Sequence, residues 1–393
     1  MVTMKRLPNS VKRIKDYEGY RNLFCIDQSL KELNPTGTFK DKTMQALEPV
    51  LDRMPRKKIT IGAISTGNTA FSMIEFVKKY NGVMGDELLS AVIFIPHDLE
   101  NRRFFGPDMS GMTIPANEYI AILERGAKVI RLNLGKPGEN PRKRYFDSLT
   151  LAQKAFEAGF VHDDGLFIDI TEGLEHTRFL HDYDIWMSLN GKMTQKDYAK
   201  MPKLGIRSYS PIIHKGIHEM RTRFGMMPDY VVCQFGAGIL FHEIVYETGP
   251  NSGYEHHIDV IAISVGDPLS CADKIYPSYW VDDPANLRIR GCARSRHDKS
   301  SRVFGVEDWE IGCAMKELGT TLNAEASGIA GFAILNRLDK IVPWLDRNKH
   351  VVLTINTGNG LPNFEKELKN RDQQLKTNTS SPSGPVLSFF TKP

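Results

Sequence analysis

From Lys58 onward the chain alternates short apolar runs with helix-like stretches, and this rhythm constrains its fold more than any other feature. Residues 59–64, 91–95, 128–132 and 166–170 read as buried strands, each bounded by glycine, proline or polar residues. Between them, 69–80, 116–125 and 146–158 carry helical periodicity and end near Asn81-Gly82, Gly126 and Gly159. A second cycle follows. Residues 212–224, 307–318 and 327–338 read as helices, and 230–234, 259–264 and 351–355 as strands. Such a βαβα order predicts parallel sheets covered by helices. Two cycles in 393 residues predict an α/β protein of two parallel-sheet domains with a cleft between them.

The expected division is a smaller α/β unit at 58–160 and a larger one built from 1–57 and 161–368. A stretch at 173–206 has no clean period and reads as an insertion, either a surface excursion or dimer contact, or a cap over a substrate. Residues 369–393 are polar and rich in Thr, Asn, Ser and Pro, as expected of a tail. Apolar residues at 41% and charged residues at 25% suit a soluble globular protein. A net charge of +4 over this length gives no reason to expect nucleic acid as a partner. Five cysteines without a CxxC pair suggest reduced thiols in a cytoplasmic protein, with no disulfide framework and no metal site. The basic N-terminus is followed by no apolar run, so neither a signal peptide nor a membrane span is expected.

Four short stretches stand at turns of this pattern. Asn34-Pro35-Thr36-Gly37-Thr38-Phe39-Lys40-Asp41-Lys42 combines a tight turn with the start of a helix marked by Met44, Leu47, Leu51 and Met54. Lys40 falls in the first helical turn, where the dipole disfavours an ammonium. It reads either as an amine nucleophile on rigid backbone or as a solvated surface lysine. Ser65-Thr66-Gly67-Asn68-Thr69 follows the first strand, and by itself Asn68 is equally an Asx turn. Phe235-Gly236-Ala237-Gly238-Ile239 follows a strand and precedes an apolar segment, a common place for glycine. Asn356-Thr357-Gly358-Asn359-Gly360-Leu361 ends the last strand and reads equally as a glycine-rich loop.

Taken in order, the four resemble the motifs of the fold-type II pyridoxal-phosphate enzymes of the tryptophan synthase β superfamily, most closely those of the threonine synthases. The resemblance spans about residues 20–365 and implies pyridoxal 5′-phosphate in the cleft. It implies that Lys40 bonds the cofactor and later serves as the base at the substrate Cα. Asn68 would bond the phenolic oxygen, while Ser65, Thr66 and Thr69, with the helix start behind them, would hold the substrate carboxylate. Gly236, Ala237, Gly238 and Ile239 would hold the phosphate through backbone groups, Ala237 and Ile239 standing where polar or glycine residues are commoner. Thr357 would face the pyridine nitrogen, and a hydroxyl there, which does not hold that nitrogen protonated, suits elimination or replacement. A homodimer acting on a small amino acid is expected.

The resemblance weakens at the substrate's far end. Threonine synthases keep a lysine after Pro-Ala-Gly and an arginine in Asn-Pro-Tyr-Arg. This chain has Glu118 in Ile114-Pro115-Ala116-Asn117-Glu118, and Ser210-Pro211-Ile212-Ile213 at the second place. With two cations gone and a carboxylate added, O-phosphohomoserine is disfavoured and a neutral or cationic leaving group is expected. The expected function is elimination or replacement at Cβ or Cγ, with serine/threonine dehydratase-like or cysteate/cysteine synthase-like chemistry as alternatives. An inactive ligand-binding relative would not need Lys40. A nucleotide-binding protein would need a full GxGxxG or a P-loop lysine, and the chain has neither.

Overall fold

The computed structural model describes residues 8–54, 57–65, 67–96, 120–121, 123–132, 148–171, 173–235, 238–249, 253–254, 258–265 and 303–359. Two mainly parallel sheets organise it. The five-stranded sheet has the order β5-β4-β3-β6-β7, from β3 (Ile59–Ile64), β4 (Leu89–Pro96), β5 (Lys128–Leu132), β6 (Leu166–Asp169) and β7 (Phe179–His181). Only β7 runs antiparallel. The six-stranded sheet has the order β1-β2-β11-β8-β9-β10, from β1 (Val11–Ile14), β2 (Asn22–Asp27), β8 (Tyr230–Gln234), β9 (Asp259–Val265), β10 (Val303–Val306) and β11 (Val351–Asn356). Here only β1 is antiparallel.

Both sheets are covered on both faces, which is why every residue of β3 and β6 is buried. Over one face of the five-stranded sheet lie α1 (Asp41–Leu51) and α2 (Asn68–Met84). On the other lies α3 (Ser148–Glu157), with Leu180 of β7, Ile185 of α4 (Asp182–Leu189) and Tyr198 of α5 (Gln195–Tyr198). The six-stranded sheet is covered by α6 (Ser210–Phe224) and α7 (Ile239–Thr248) on one face. On its other face sit α8 (Asp308–Leu318), α9 (Ala326–Ala333) and α10 (Leu338–Ile341). Close approach depends on absent side chains at two points. A Cβ at Gly62 would overlap the Phe167 ring, and one at Gly216 would overlap Ile26.

Three features differ from the sequence expectation. Strand β6, expected beyond residue 160 in the larger unit, pairs with β3, and β7 pairs with β6 in the same sheet. The rhythm of elements specifies a parallel sheet without saying which sheet a given strand joins. Likewise α1, expected with the larger unit, buries Met44, Leu47 and Leu51 in the core of the five-stranded sheet. Helix α2 does not close at Asn81-Gly82 but runs to Met84 and ends on Gly85 at φ 73°. Asn81 instead ties down β4, donating from Nδ2 to Leu89 O at 2.8 Å and accepting Leu89 N–H at 2.9 Å.

The 173–206 stretch wraps the β6 edge of the five-stranded sheet. Leu174, Leu204 and Ile206 join the core on one face of the sheet, and Leu180 and Ile185 that on the other. Arg178 staples it, donating to Met201 O, His176 O and Ala199 O while its guanidinium lies over the Tyr198 ring. No helix among the described residues is long and apolar enough to cross a membrane.

Candidate active site

The site is assembled where β3, β8 and β11 reach their C-terminal ends, the edge at which parallel sheets place ligands. Its first part is the lysine turn. Gly37 adopts φ 77° and closes the turn by donating its N–H to Asn34 O at 2.7 Å. Buried Asn34 is anchored through Nδ2 to Gln28 O at 2.7 Å. Asp41 accepts from Thr36 N–H at 2.8 Å and from its hydroxyl at 2.9 Å, and burial pushes that carboxyl up from its ordinary range. Lys40 is the cap residue of α1, one position before the first full turn. Its backbone N–H donates to Thr38 Oγ1 at 2.9 Å, and its Nζ lies 4.7 Å from the Phe39 ring centre and 5.6 Å from that of Tyr209.

A clip joins this turn to the end of β11. Phe39 N–H donates to Thr357 O at 3.0 Å, and Asn359 N–H donates to Gly37 O at 3.0 Å. Thr38 and Gly358 form an isolated antiparallel bridge. Gly358 stands at φ 118°, and a Cβ there would overlap Gly37 O and Thr38 Cα. The clip thus needs glycine twice over, for conformation and for space. Asn356 and Thr357 are buried beneath it. Asn356 Nδ2 donates to Asp27 Oδ1 at 2.9 Å and its Oδ1 accepts Gly358 N–H at 3.0 Å.

Asn68 comes from the other sheet. It is the first residue of α2, directly after Gly67. Its Nδ2 donates to Glu325 Oε1 at 2.7 Å, and that oxygen also accepts the Ser327 hydroxyl at 2.7 Å. Glu325 caps α9 and donates its N–H to Gly358 O at 3.1 Å. Lysine turn, β11 loop, α9 start and Asn68 therefore form one hydrogen-bonded circuit. Sequence reasoning missed Glu325. Its signal is a lone acid ahead of the small-residue run Ala326-Ser327-Gly328, whose Gly328 lets the β11 loop approach.

The third part begins at Gln234, the last residue of β8, whose Nε2 donates to Gly328 O at 2.5 Å and Ile355 O at 2.8 Å. Gly238, at φ 84°, caps α7, and Ile239 opens that helix against Gly173. Ser65 caps α2 from its own strand end. Its Oγ accepts the N–H groups of Gly67 and Ala70, each at 3.2 Å, so that oxygen is already engaged in holding the helix start. Thr69 is half-buried in the first turn of α2. Thr66, Gly236, Ala237 and Glu118 lie outside the described residues, as do Gly360 and Leu361.

Two polar atoms at this edge, Asn68 Oδ1 and Gln234 Oε1, are buried without a hydrogen-bond partner among the described residues. Such atoms cost about 1–3 kcal/mol each, which fits a place that receives a polar ligand. The circuit offers an amine, an amide, a hydroxyl-bearing residue and a helix start led by a left-handed glycine. That set matches what a pyridoxal phosphate ring, its substituents and its phosphate require.

No family model matches the sequence, and no curated protein is significantly similar to it. The fold nevertheless has solved counterparts. The apo form of Escherichia coli diaminopropionate ammonia lyase superposes with a TM-score of 0.53 at 14% identity, covering 91% of this chain and 83% of the other. The same enzyme with an aminoacrylate-PLP azomethine reaction intermediate superposes with a TM-score of 0.54 at 15% identity, covering 91% and 85%. The fold is that of the fold-type II pyridoxal-phosphate enzymes, as the sequence motifs implied.

Proposed function

We propose that the chain is a pyridoxal-phosphate enzyme that eliminates a neutral or cationic group from the Cβ of a small amino acid. The observation that carries this reading is the clip that joins the turn leading into Lys40 to the Thr357 loop, within the circuit closed by Asn68. When bound, the cofactor supplies an electron sink that makes the substrate Cα proton removable. Lys40 Nζ would hold its aldehyde carbon and, once the substrate amine has taken that place, accept the Cα proton. The faces of Phe39 and Tyr209 favour the ammonium that results. Asn68 would exchange Glu325 for the phenolic oxygen. Gly236, Ala237, Gly238 and Ile239 would give backbone N–H groups to the phosphate. Thr357 would stand at the pyridine nitrogen without protonating it.

Thr66 and Thr69, with the first N–H groups of α2, would take the substrate carboxylate, while Ser65 fixes that helix start. At the far end, Glu118 and the missing cations disfavour a phosphate and suit an amine leaving group. The diaminopropionate lyase neighbours support the same reading. Release of pyruvate from 2,3-diaminopropionate by the purified protein is the direct test. Efficient formation of threonine from O-phosphohomoserine would overturn the substrate reading. A protein that binds no pyridoxal phosphate would overturn the whole of it.

A further inference from the structure

On the far side of α1 from Lys40 lies a cavity of about 970 Å³ between α1, α6, the loop before α6 and the start of β1. Two residues along a helix is about 200° around it, so Lys42 points away from the face that Lys40 serves. Among the described residues Lys42 Nζ is held by two neutral acceptors, Leu33 O and Gln45 Oε1, each at 3.0 Å. Facing it, α6 presents His214, Lys215 and His218 along the side opposite its buried residues Ile213, Gly216, Ile217 and Met220. Burial first, and the nearby Lys215 second, bring the Lys42 amine down to about 8.

The carboxylates within reach are committed elsewhere. Glu219, also in the wall, accepts Ser10 N–H at 2.9 Å, the Ser10 hydroxyl at 3.0 Å and Val11 N–H at 3.1 Å, and pairs with Arg223. Asp41 faces Thr36. Arg207 is occupied by Glu175 at 3.3 Å and by the Tyr246 ring. Lys42 and Lys215 thus have no carboxylate partner among the described residues. The shape suits a small molecule, since such sites usually run to several hundred Å³.

We propose that this cavity binds a small phosphate-bearing anion, separately from the cofactor cleft, and that its occupant acts on Lys40 through their shared wall. That wall is short. Thr43 of α1 donates its hydroxyl to Tyr209 Oη at 3.0 Å, and the Tyr209 ring is the one that flanks Lys40 Nζ. An anion drawing Lys42 and the 207–209 loop together bears on both groups that set the lysine's position.

Inorganic pyrophosphate serves as the probe, titrated calorimetrically at fixed ionic strength into the full chain loaded with pyridoxal phosphate and then freed of unbound cofactor, so that the cleft is filled and no free phosphate ester competes for the cavity. Binding is expected in the micromolar to low millimolar range and at least tenfold weaker in Lys42→Gln/Lys215→Gln. Equal binding of malonate overturns the choice of phosphate, and unchanged binding by the double variant overturns the location. No heat at all overturns the site. The cofactor's visible band should shift on adding pyrophosphate to the wild type only; binding with no shift overturns the link to Lys40. These readouts need no turnover, so they stand apart from the choice of substrate.

Discussion

At Gly358 the lack of a side chain lets two loops touch that come from opposite ends of the sequence. Gly358→Ala adds a methyl at φ 118° and drives it into the Gly37 carbonyl, so strain and overlap act together. The expected cost is about 2–4 kcal/mol, read as a lowered urea midpoint, with retention of pyridoxal phosphate falling at least tenfold. A variant as stable as wild type that keeps its cofactor would show that the clip does not position Lys40. At Lys40 itself, borohydride reduction in the presence of pyridoxal phosphate should fix the cofactor to that residue alone. Peptide mapping that finds the label on Lys42 or elsewhere sinks the assignment. For Thr357, aspartate in place of the hydroxyl would hold the pyridine nitrogen protonated. Thr357→Asp should lose elimination at least tenfold and gain racemisation or transamination, visible in the product distribution. An unchanged product distribution would mean that Thr357 does not face the ring.

Between elements, α7 caps α6 through one buried acid. Glu243 accepts the N–H groups of Tyr209 and Ser210 at 2.6 and 2.7 Å, satisfying two donors that a helix start leaves open. Burial outweighs those bonds and pushes its carboxyl up to about 7. The folded protein therefore holds a proton that the unfolded chain releases between the ordinary carboxylate range and neutrality. Stability from this group is fullest at low pH and falls as pH rises to about 7, by on the order of 3 kcal/mol. Glu243→Gln keeps an acceptor but cannot titrate. Urea unfolding at pH 5 and pH 8 should show the wild type losing about that much more stability than the variant; parallel losses would refute it. This pairing could not be read from sequence, because Glu243 sits in an apolar segment whose acid reads as solvent-facing. Strand β1 was hidden for the opposite reason. Its Lys12 and Arg13 read as a basic terminus, yet Val11 and Ile14 are buried and Lys12 pairs with Asp27 at 2.6 Å. Lys40, Asn68 and Thr357 could be proposed from sequence because each stands in a glycine-containing turn at a strand or helix end, whereas Glu325 enters only through the partner that the fold brings to it.

In the whole molecule the two sheets have separate cores, and the candidate site is one of the places where they meet. Asn68 reaches Glu325 from one sheet to the other, and α1 packs in one core while clipped to the second. A ligand bound there stabilises both at once. At a hundredfold excess over its dissociation constant, pyridoxal phosphate should add about 2.7 kcal/mol, seen as a Tm higher by a few degrees. Pyridoxal, without the phosphate, should do much less; equal shifts would refute a phosphate site at Gly238. The alternation of strands and helices made the sheets legible in the sequence, but their membership was not, since β6 follows β5 yet pairs with β3.

The pairing of β2 with β11 has a consequence for how the protein is made. Asn22 lies beside Val351, and β2 cannot find its neighbour until the ribosome has delivered nearly the whole length. At roughly 5–20 residues per second the nascent β1–β2 hairpin waits on the order of tens of seconds. All of the five-stranded sheet, by contrast, is encoded between residues 59 and 181, so its strands can pair while the last strand of the other sheet is still untranslated. Throughout that interval Leu23, Phe24 and Ile26, later fully enclosed, are without their final cover. Chaperone contact with the nascent chain is therefore expected to centre on its first thirty or so residues and to end when β11 emerges.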